Sequence, residues 1–187
     1  MAPNADFHRL ALSPVSGTEI RHRFIAGMGK ATAAVTLVTT DGTAGRFGQT
    51  VTAMMSVSAD PPTLVIGLYR GAPVADAVHS NRCFAVNVLS TGNVDIAQDF
   101  AGASGPGTRY KFGTEWGSLR TGSPILSSAA ASFDCHAEQF LVAGSHLLIV
   151  GRVVDAQTLD DTKTLIYGSR AYGIHAPLES TSTEKKA

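Results

Sequence analysis

The stretch GQTVTAMMSVSADPP, residues 48–62, places small hydroxyl side chains and apolar side chains at intervals of two or four residues. On one extended strand the two sets would face opposite sides. We therefore predict a single strand with a polar outer face and an apolar face toward a core. The Asp60-Pro61-Pro62 run ends it, because proline supplies no amide donor. The hydroxyl set is Thr50, Thr52, Ser56 and Ser58, and the apolar set is Val51, Ala53, Met55 and Val57.

Two interpretations of this strand stay open. The first is a structural edge strand, since strands favour threonine. The second is a binding surface, because hydroxyls beside exposed backbone amides suit a flat polar ligand rich in hydrogen-bond acceptors.

Composition narrows the functional classes. The chain has 187 residues, which suits one domain, and carries 15 basic and 15 acidic side chains without a basic run. We expect no nucleic-acid partner, no membrane span and no secretory signal.

The cysteines, Cys83 and Cys135, each lie in an apolar run, which favours buried thiols in a cytoplasmic protein. We expect residues 1–17 to be loosely ordered and the tail 179–187 to be disordered.

Local patterns predict a mainly β chain with flanking helices. A helix is expected over 18–29, with Thr18 as N-cap and Gly29 as its stop. Short helices are expected over 73–80 and 94–100, and a long loop containing Trp116 over 101–128. The remaining strands are predicted at 34–40, 63–68, 83–89, 129–141, 146–156 and 164–172. Many short strands with few helices indicate an antiparallel barrel.

Familiar catalytic motifs are missing from the sequence. Gly27-Met28-Gly29 follows a predicted helix, whereas a dinucleotide fingerprint follows a strand. Cys135-His136 would point to opposite faces of a strand, so no zinc site is expected. No nucleophile elbow occurs, and no metal site is predicted. Any chemistry is therefore expected to come from a bound organic cofactor.

The ordered segments together resemble the short-chain flavin reductases, the NAD(P)H:flavin oxidoreductases that supply reduced flavin to two-component monooxygenases. The resemblance spans about residues 20–172. It implies one domain over 18–178, an antiparallel split β-barrel of Greek-key type, and a homodimer with an oxygenase partner. The segments that carry it are VTLVTT (35–40), GQTVTA (48–53), SVS (56–58), DPP (60–62), FAVNVL (84–89), FAG (100–102), KF (111–112) with Trp116, GSHL (144–147), GRV (151–153), and LIY (165–167) with Tyr172.

The resemblance implies where a flavin, FMN or FAD, would bind. Residues 50–53, with Ser56 and Val57, would meet the isoalloxazine ring through backbone amides and hydroxyls. The turn Arg70-Gly71-Ala72-Pro73 would receive the phosphate at a helix N-terminus, although hydroxyls are common there in the family. Phe100-Ala101-Gly102 would approach the ring or the ribityl chain.

The resemblance also implies a nicotinamide side. His146 and Tyr172 would bind NADH or NADPH, and Trp116 is interpreted as a lid or dimer contact. Positioning of the two ligands would supply most of the catalysis, with no side-chain acid or base. Two alternatives remain: a flavin-dependent corrin reductase, which is similar around Ala44-Gly45-Arg46, and a non-catalytic flavin carrier or sensor. The choices between FMN and FAD, between NADH and NADPH, and between flavin as cofactor and flavin as substrate stay open.

Overall fold

The computed structural model describes residues 16–103, 105 and 110–177. Its helices are α1 Gly17–Met28, α2 Pro73–Asn81 and α3 Val94–Ala101, with a short 3-10 helix at Thr91–Asn93. Its strands are β1 Ala33–Ala34, β2 Thr36–Thr40, β3 Phe47–Val51, β4 Met54–Ala59, β5 Pro62–Tyr69, β6 Cys83–Val88, β7 Trp116–Ser118, β8 Pro124–Leu126, β9 Ala131–Ala143, β10 His146–Thr158, β11 Leu165–Gly168 and β12 Ala171–Ile174.

The main sheet of the described chain is antiparallel and has the strand order β3-β2-β6-β9-β10-β5-β4. Its two edge strands, β3 and β4, are consecutive in the chain and joined only by Thr52 and Ala53. The sheet therefore curls until its edges meet at this link, where the Gly67 amide donates to the Ala53 carbonyl at 2.9 Å. The predicted mainly β, antiparallel architecture is confirmed.

The predicted single strand over residues 48–62 is wrong, because it breaks at the Thr52-Ala53 link. The Met54 amide donates to the Thr52 carbonyl at 3.0 Å, a tight turn that shifts the alternation of side chains by one residue. Met54 consequently packs on the core. Met55 and Val57, which were expected to face the core, are 59% and 55% exposed on the outer face.

Two apolar clusters hold the sheet. One fills the inside of the curled sheet and packs against α2; its largest fully buried members include Phe84, Ile66 and Leu68. The other joins β2 to α3 and includes Leu37 and Phe100. The packing of α3 against β3 in this second cluster requires a glycine at position 48, since a Cβ there would lie 2.8 Å from the Phe100 ring.

The segment predicted as a loop over 101–128 contains the short hairpin of β7 and β8. The Asn87 side chain anchors this hairpin by accepting from the Leu126 amide at 2.9 Å. The Trp116 ring lies 4.9 Å from Phe112 and 5.8 Å from Phe100, where it packs, partly buried, against the second apolar cluster. The interpretation of Trp116 as a lid or dimer contact stays a prediction.

Helix α1 forms as predicted and ends at Gly29, but it begins earlier than expected. Ser16, and not Thr18, is its N-cap, and the Ser16 hydroxyl accepts from the Glu19 amide at 3.2 Å. No residue of α1 is buried, and Phe24 on its apolar side is 64% exposed. Except for residues 16 and 17, the segments expected to be loosely ordered (1–17) and disordered (179–187) lie outside the described residues.

Both predicted buried thiols are confirmed. Cys83 and Cys135 are buried and free. His136 is exposed on the opposite face of β9 from Cys135, as the alternation of a strand requires. In the part of the chain that the structure describes, no helix is long and apolar enough to span a membrane.

Candidate functional site

A cavity of about 400 Å³ opens where the two edges of the sheet meet. Its walls come from the β3–β4 link, the end of β5, the start of β10, the end of α3 and the β11–β12 hairpin. None of its lining side chains is a carboxylate, a lysine or an arginine. The lining residues are Val35, Gln49, Thr50, Val51, Thr52, Ala53, Gly67, Tyr69, Ala101, His146, Tyr167 and Tyr172.

This cavity brings together residues predicted for two different ligands. Residues 50–53 and Ala101, expected on the flavin side, share it with His146 and Tyr172, expected on the nicotinamide side. These positions come from four separate parts of the chain. The fold therefore places the two predicted sets close enough to act on one pair of ligands, although their binding roles stay predictions.

A second cavity of about 170 Å³ continues the first toward the N-terminus of α2. Gln49, Tyr69 and Ala101 line both cavities, so the two form one groove. The remaining walls of the second cavity are Gly48, Gly71, Ala72, Phe100 and Tyr110. The groove therefore runs from His146 and Tyr172 at one end to the α2 turn at the other.

The α2 turn has few free amides for a phosphate. The Ala72 amide donates to the Tyr69 carbonyl, and the Ala75 amide donates to the Ala72 carbonyl, both at 3.0 Å. Pro73 has no amide hydrogen at all. Arg70 lies outside the groove, in a neighbouring depression that it shares with Gly71. Of the predicted phosphate residues, Gly71 and Ala72 border the groove, and Pro73 does not.

The two predicted ring contacts in β4 lie elsewhere. Ser56 lines a separate, largely apolar cavity of about 340 Å³, together with Met54, Phe133 and Val153. Val57 faces away on the exposed outer surface. Both displacements follow from the break before Met54, which carries β4 to the far edge of the sheet. Gly102, at the left-handed end of α3, borders neither part of the groove.

Aromatic side chains flank both nicotinamide-side residues. His146 pairs with Tyr69 across β10 and β5, and their rings meet edge to face at 6.0 Å. The Ser145 hydroxyl lies 3.0 Å from Nδ1 of His146. Tyr172 meets the Tyr167 ring at 5.3 Å across the β11–β12 hairpin. Burial, and secondarily the neighbouring Tyr167, raises the pKa of Tyr172, so its phenol stays protonated at neutral pH.

Two buried polar atoms in this groove have no hydrogen-bond partner among the described residues: Oγ1 of Thr50 and Oε1 of Gln49. An unpartnered buried polar group costs roughly 1–3 kcal/mol, and such groups are rare in folded proteins. An isoalloxazine ring offers acceptors at N1, O2, O4 and N5, which suit the Thr50 hydroxyl and the backbone amides of the link. The residues present therefore fit a flavin. Within the described ranges, no group of three His, Cys, Asp or Glu side chains could hold a metal ion.

The sequence did not identify several of the lining residues. Gln49 lies inside the stretch 48–62, where the prediction rests on hydroxyl side chains alone. Gly67 meets the link so closely that a Cβ would lie 3.1 Å from the Ala53 Cβ. Tyr69 and Tyr167 lie directly opposite His146 and Tyr172 on paired strands. Strand pairing of this kind is the signal that could have found both tyrosines.

The family profile of the flavin reductase like domain matches residues 28–175. A relative from Bradyrhizobium diazoefficiens, named FMN reductase (NADH) RutF, is 39% identical over 151 residues, covering 79% of this chain and 83% of the relative. A protein of the same name from Pseudomonas syringae pv. syringae is 39% identical over 148 residues, covering 79% of this chain and 82% of that protein. Among solved structures, BorF, the flavin reductase component of a bacterial two-component tryptophan halogenase, superposes with a TM-score of 0.75 at 25% identity, covering 82% of this chain and 97% of BorF.

Proposed function

Because the chain belongs to the flavin reductase like family, we propose that it reduces FMN with NADH and passes the reduced flavin to a partner oxygenase. The match over residues 28–175 confirms the family resemblance. Relatives named FMN reductase (NADH) support the choice of FMN and NADH, and likeness to a two-component reductase supports the oxygenase. The observation that carries the proposal is the unpartnered Thr50 hydroxyl in a groove shared with His146.

A bound flavin supplies the hydride-accepting chemistry. The chain's own residues bind and orient the ligands. The Thr50 hydroxyl and the amides of residues 50–53 would donate to ring acceptors, and Gly67 would let the ring approach the wall of the groove. His146, beside Tyr69, would donate to or accept from the nicotinamide. Holding two reactants in contact can supply about 7–11 kcal/mol of a barrier, so no general acid is required.

The absence of charged carboxylates from the lining has a chemical consequence. Reduction adds negative charge to a flavin, and a carboxylate in the wall would oppose it. Neutral donors such as the Thr50 hydroxyl, aimed at ring acceptors, would favour it. The lining of the larger cavity is therefore suited to electron transfer into a flavin.

The decisive experiment is anaerobic steady-state oxidation of NADH or NADPH by the purified protein with added FMN, FAD or riboflavin. We expect NADH oxidation that saturates with FMN. A protein that binds FMN but does not consume either nucleotide would be a carrier or sensor, which contradicts the proposal. A protein that binds no flavin below millimolar concentration would contradict flavin binding altogether.

We propose further that the protein is a homodimer. The support is the apolar side of α1, where Ile20, Phe24 and Met28 are 56%, 64% and 54% exposed in the single chain. Apolar surface of this kind is commonly covered by a partner. Sedimentation equilibrium at micromolar concentration tests the proposal, and a monomer across that range would refute it.

A further inference from the structure

We infer that Gln49 accepts a hydrogen bond from the hydroxyl groups of the flavin's ribityl chain and thereby makes the groove prefer flavins that carry this polyol. The inference rests on the proposed function. It adds a specificity-determining residue to the groove, and it concerns the part of the ligand between the ring and the phosphate.

The position of Gln49 along the groove is the first argument. Gln49 lines both the larger cavity and its continuation toward α2. Residues 50–53 line only the larger cavity, where the ring would lie, and Ala72 borders only the continuation. Gln49 therefore stands between the ring end and the phosphate end, which is where the ribityl chain of FMN would pass.

The chemistry of the side chain is the second argument. Oε1 of Gln49 is a buried acceptor without a partner among the described residues. The ring offers one donor, at N3, whereas the ribityl chain offers three hydroxyl donors. The terminal torsion of glutamine is soft, so rotation about it can turn Oε1 toward the groove. The ribityl polyol is thus the part of the ligand that best supplies a hydrogen-bond donor to Oε1 of Gln49.

The third argument compares Gln49 with the other residues that line both cavities, as possible acceptors for a ribityl hydroxyl. Tyr69 and Ala101 are the other residues common to both cavities. Ala101 has no polar side chain, and Tyr69 is 51% exposed, so water can reach its side chain. Gln49 is therefore the side chain at the junction that carries a buried acceptor without a partner among the described residues.

The test is a titration of wild type and Gln49→Met with lumiflavin, riboflavin and FMN, followed by flavin fluorescence. Lumiflavin carries the ring with its N3 donor but no ribityl chain. We expect Gln49→Met to weaken riboflavin and FMN binding about three- to tenfold and to change lumiflavin binding less than about twofold, as expected for one lost neutral hydrogen bond. Gln139→Met, at an exposed position of β9 outside the groove, serves as the matched control.

Thermal unfolding without ligand supplies a second readout. Because Oε1 of Gln49 has no partner within the described ranges, Gln49→Met should not lower the melting temperature of the flavin-free protein. A fall of more than about 4 °C would show that the amide has a structural partner, which overturns the inference. Should Gln49→Met not fold, Gln49→Ala goes through the same titrations with the same expectation.

The remaining outcomes are distinct. Equal losses of affinity for lumiflavin and riboflavin would place Gln49 at the ring. Unchanged affinity for all three flavins would show that Gln49 does not contact the ligand. Either result overturns the inference while the proposed function stands. Wild-type protein that binds none of the three would overturn the proposed function, and the inference with it.

Discussion

His146 lies directly opposite Tyr69 across β10 and β5, with the two rings edge to face at 6.0 Å. Both side chains line the larger cavity. Tyr69 also lines the continuation toward α2, whereas His146 does not. The pair therefore marks the wall where the proposed nicotinamide and flavin subsites meet.

Replacing His146 by alanine should raise KM for NADH by up to about tenfold, the loss expected for one hydrogen bond. FMN affinity should change less than about twofold, because the proposed donors to the ring are in residues 50–53 and not at His146. Steady-state kinetics at saturating FMN, with a separate FMN titration, measures both. His136→Ala on the exposed face of β9 is the control. An unchanged KM and kcat in His146→Ala would make His146 a packing residue of the strand start.

Two threonines of the sheet should respond in opposite ways to replacement by valine. The Thr50 hydroxyl has no partner in the part of the chain that the structure describes, so Thr50→Val should leave stability unchanged and weaken FMN binding up to about tenfold. The Thr40 hydroxyl donates to the Cys83 carbonyl at 2.7 Å in the core, so Thr40→Val should cost about 1–3 kcal/mol of unfolding free energy and leave FMN binding unchanged. Urea unfolding and FMN titration test both. A destabilised Thr50→Val with normal FMN affinity would make this hydroxyl structural.

The contrast between β3 and β4 shows which residues of the candidate site could be predicted from the sequence alone. Hydroxyl spacing predicted a polar face that includes Thr50 and Thr52, and both line the groove, since that part of the pattern is local. Val51 and Ala53 also line the groove, which only the family resemblance implied. The break at Thr52-Ala53 has no clear local signal. It arises because the chain must cross from one edge of the curled sheet to the other, which is a property of the whole barrel. Ser56 and Val57 were assigned to the ring from the family resemblance, and the break leaves both outside the groove. The single domain over residues 18–178 stays a prediction.

Contacts of several aromatic residues were not predicted for a related reason. Trp116 stands in a stretch rich in glycine, which is typical of a loop, yet its ring packs against Phe100 of α3 as well as against the nearby Phe112. Tyr69 and Tyr167 line the groove because their strands pair with those of His146 and Tyr172. The periodicity of one segment does not specify which distant segment it contacts, so these positions follow only once the strand pairing is known.

Arg70→Ala should show how much the phosphate contributes to FMN affinity, apart from the rest of the ligand. Arg70 is exposed beside the α2 turn, where backbone donors are scarce, so a contact with the phosphate would be partly screened by solvent. We expect FMN affinity to fall about two- to fivefold at low salt, an exposed ion pair's contribution, with no change for riboflavin. Arg120→Ala, which removes an equal charge from an exposed position that lines neither cavity of the groove, is the control. An equal effect on riboflavin would exclude a phosphate contact.

Gly48→Ala should destabilise the protein by about 1–3 kcal/mol, the usual cost of inserting a methyl group into a packed contact. The added Cβ would lie 2.8 Å from the Phe100 ring and force α3 away from β3. Because Ala101 ends that helix and lines the groove, FMN affinity should fall as well. Gly117→Ala, where a Cβ meets nothing within 4 Å, is the matched control. Equal stability of the two variants would refute the tight packing of α3 on β3.

Cys135 should make stability depend on pH in the alkaline range. Burial, and secondarily the nearby Asp134 carboxylate, raises the pKa of this thiol in the folded protein. The folded state therefore retains the proton that the unfolded chain releases above about pH 8.5. The stabilisation from Cys135 is complete below that pH and is lost as the pH rises above it, by about 1.4 kcal/mol per pH unit. Urea unfolding of wild type and Cys135→Ala between about pH 7.5 and pH 10 measures this slope. The two unfolding free energies should converge by about 2 kcal/mol over the range, and parallel pH profiles would show that Cys135 ionises equally in both states.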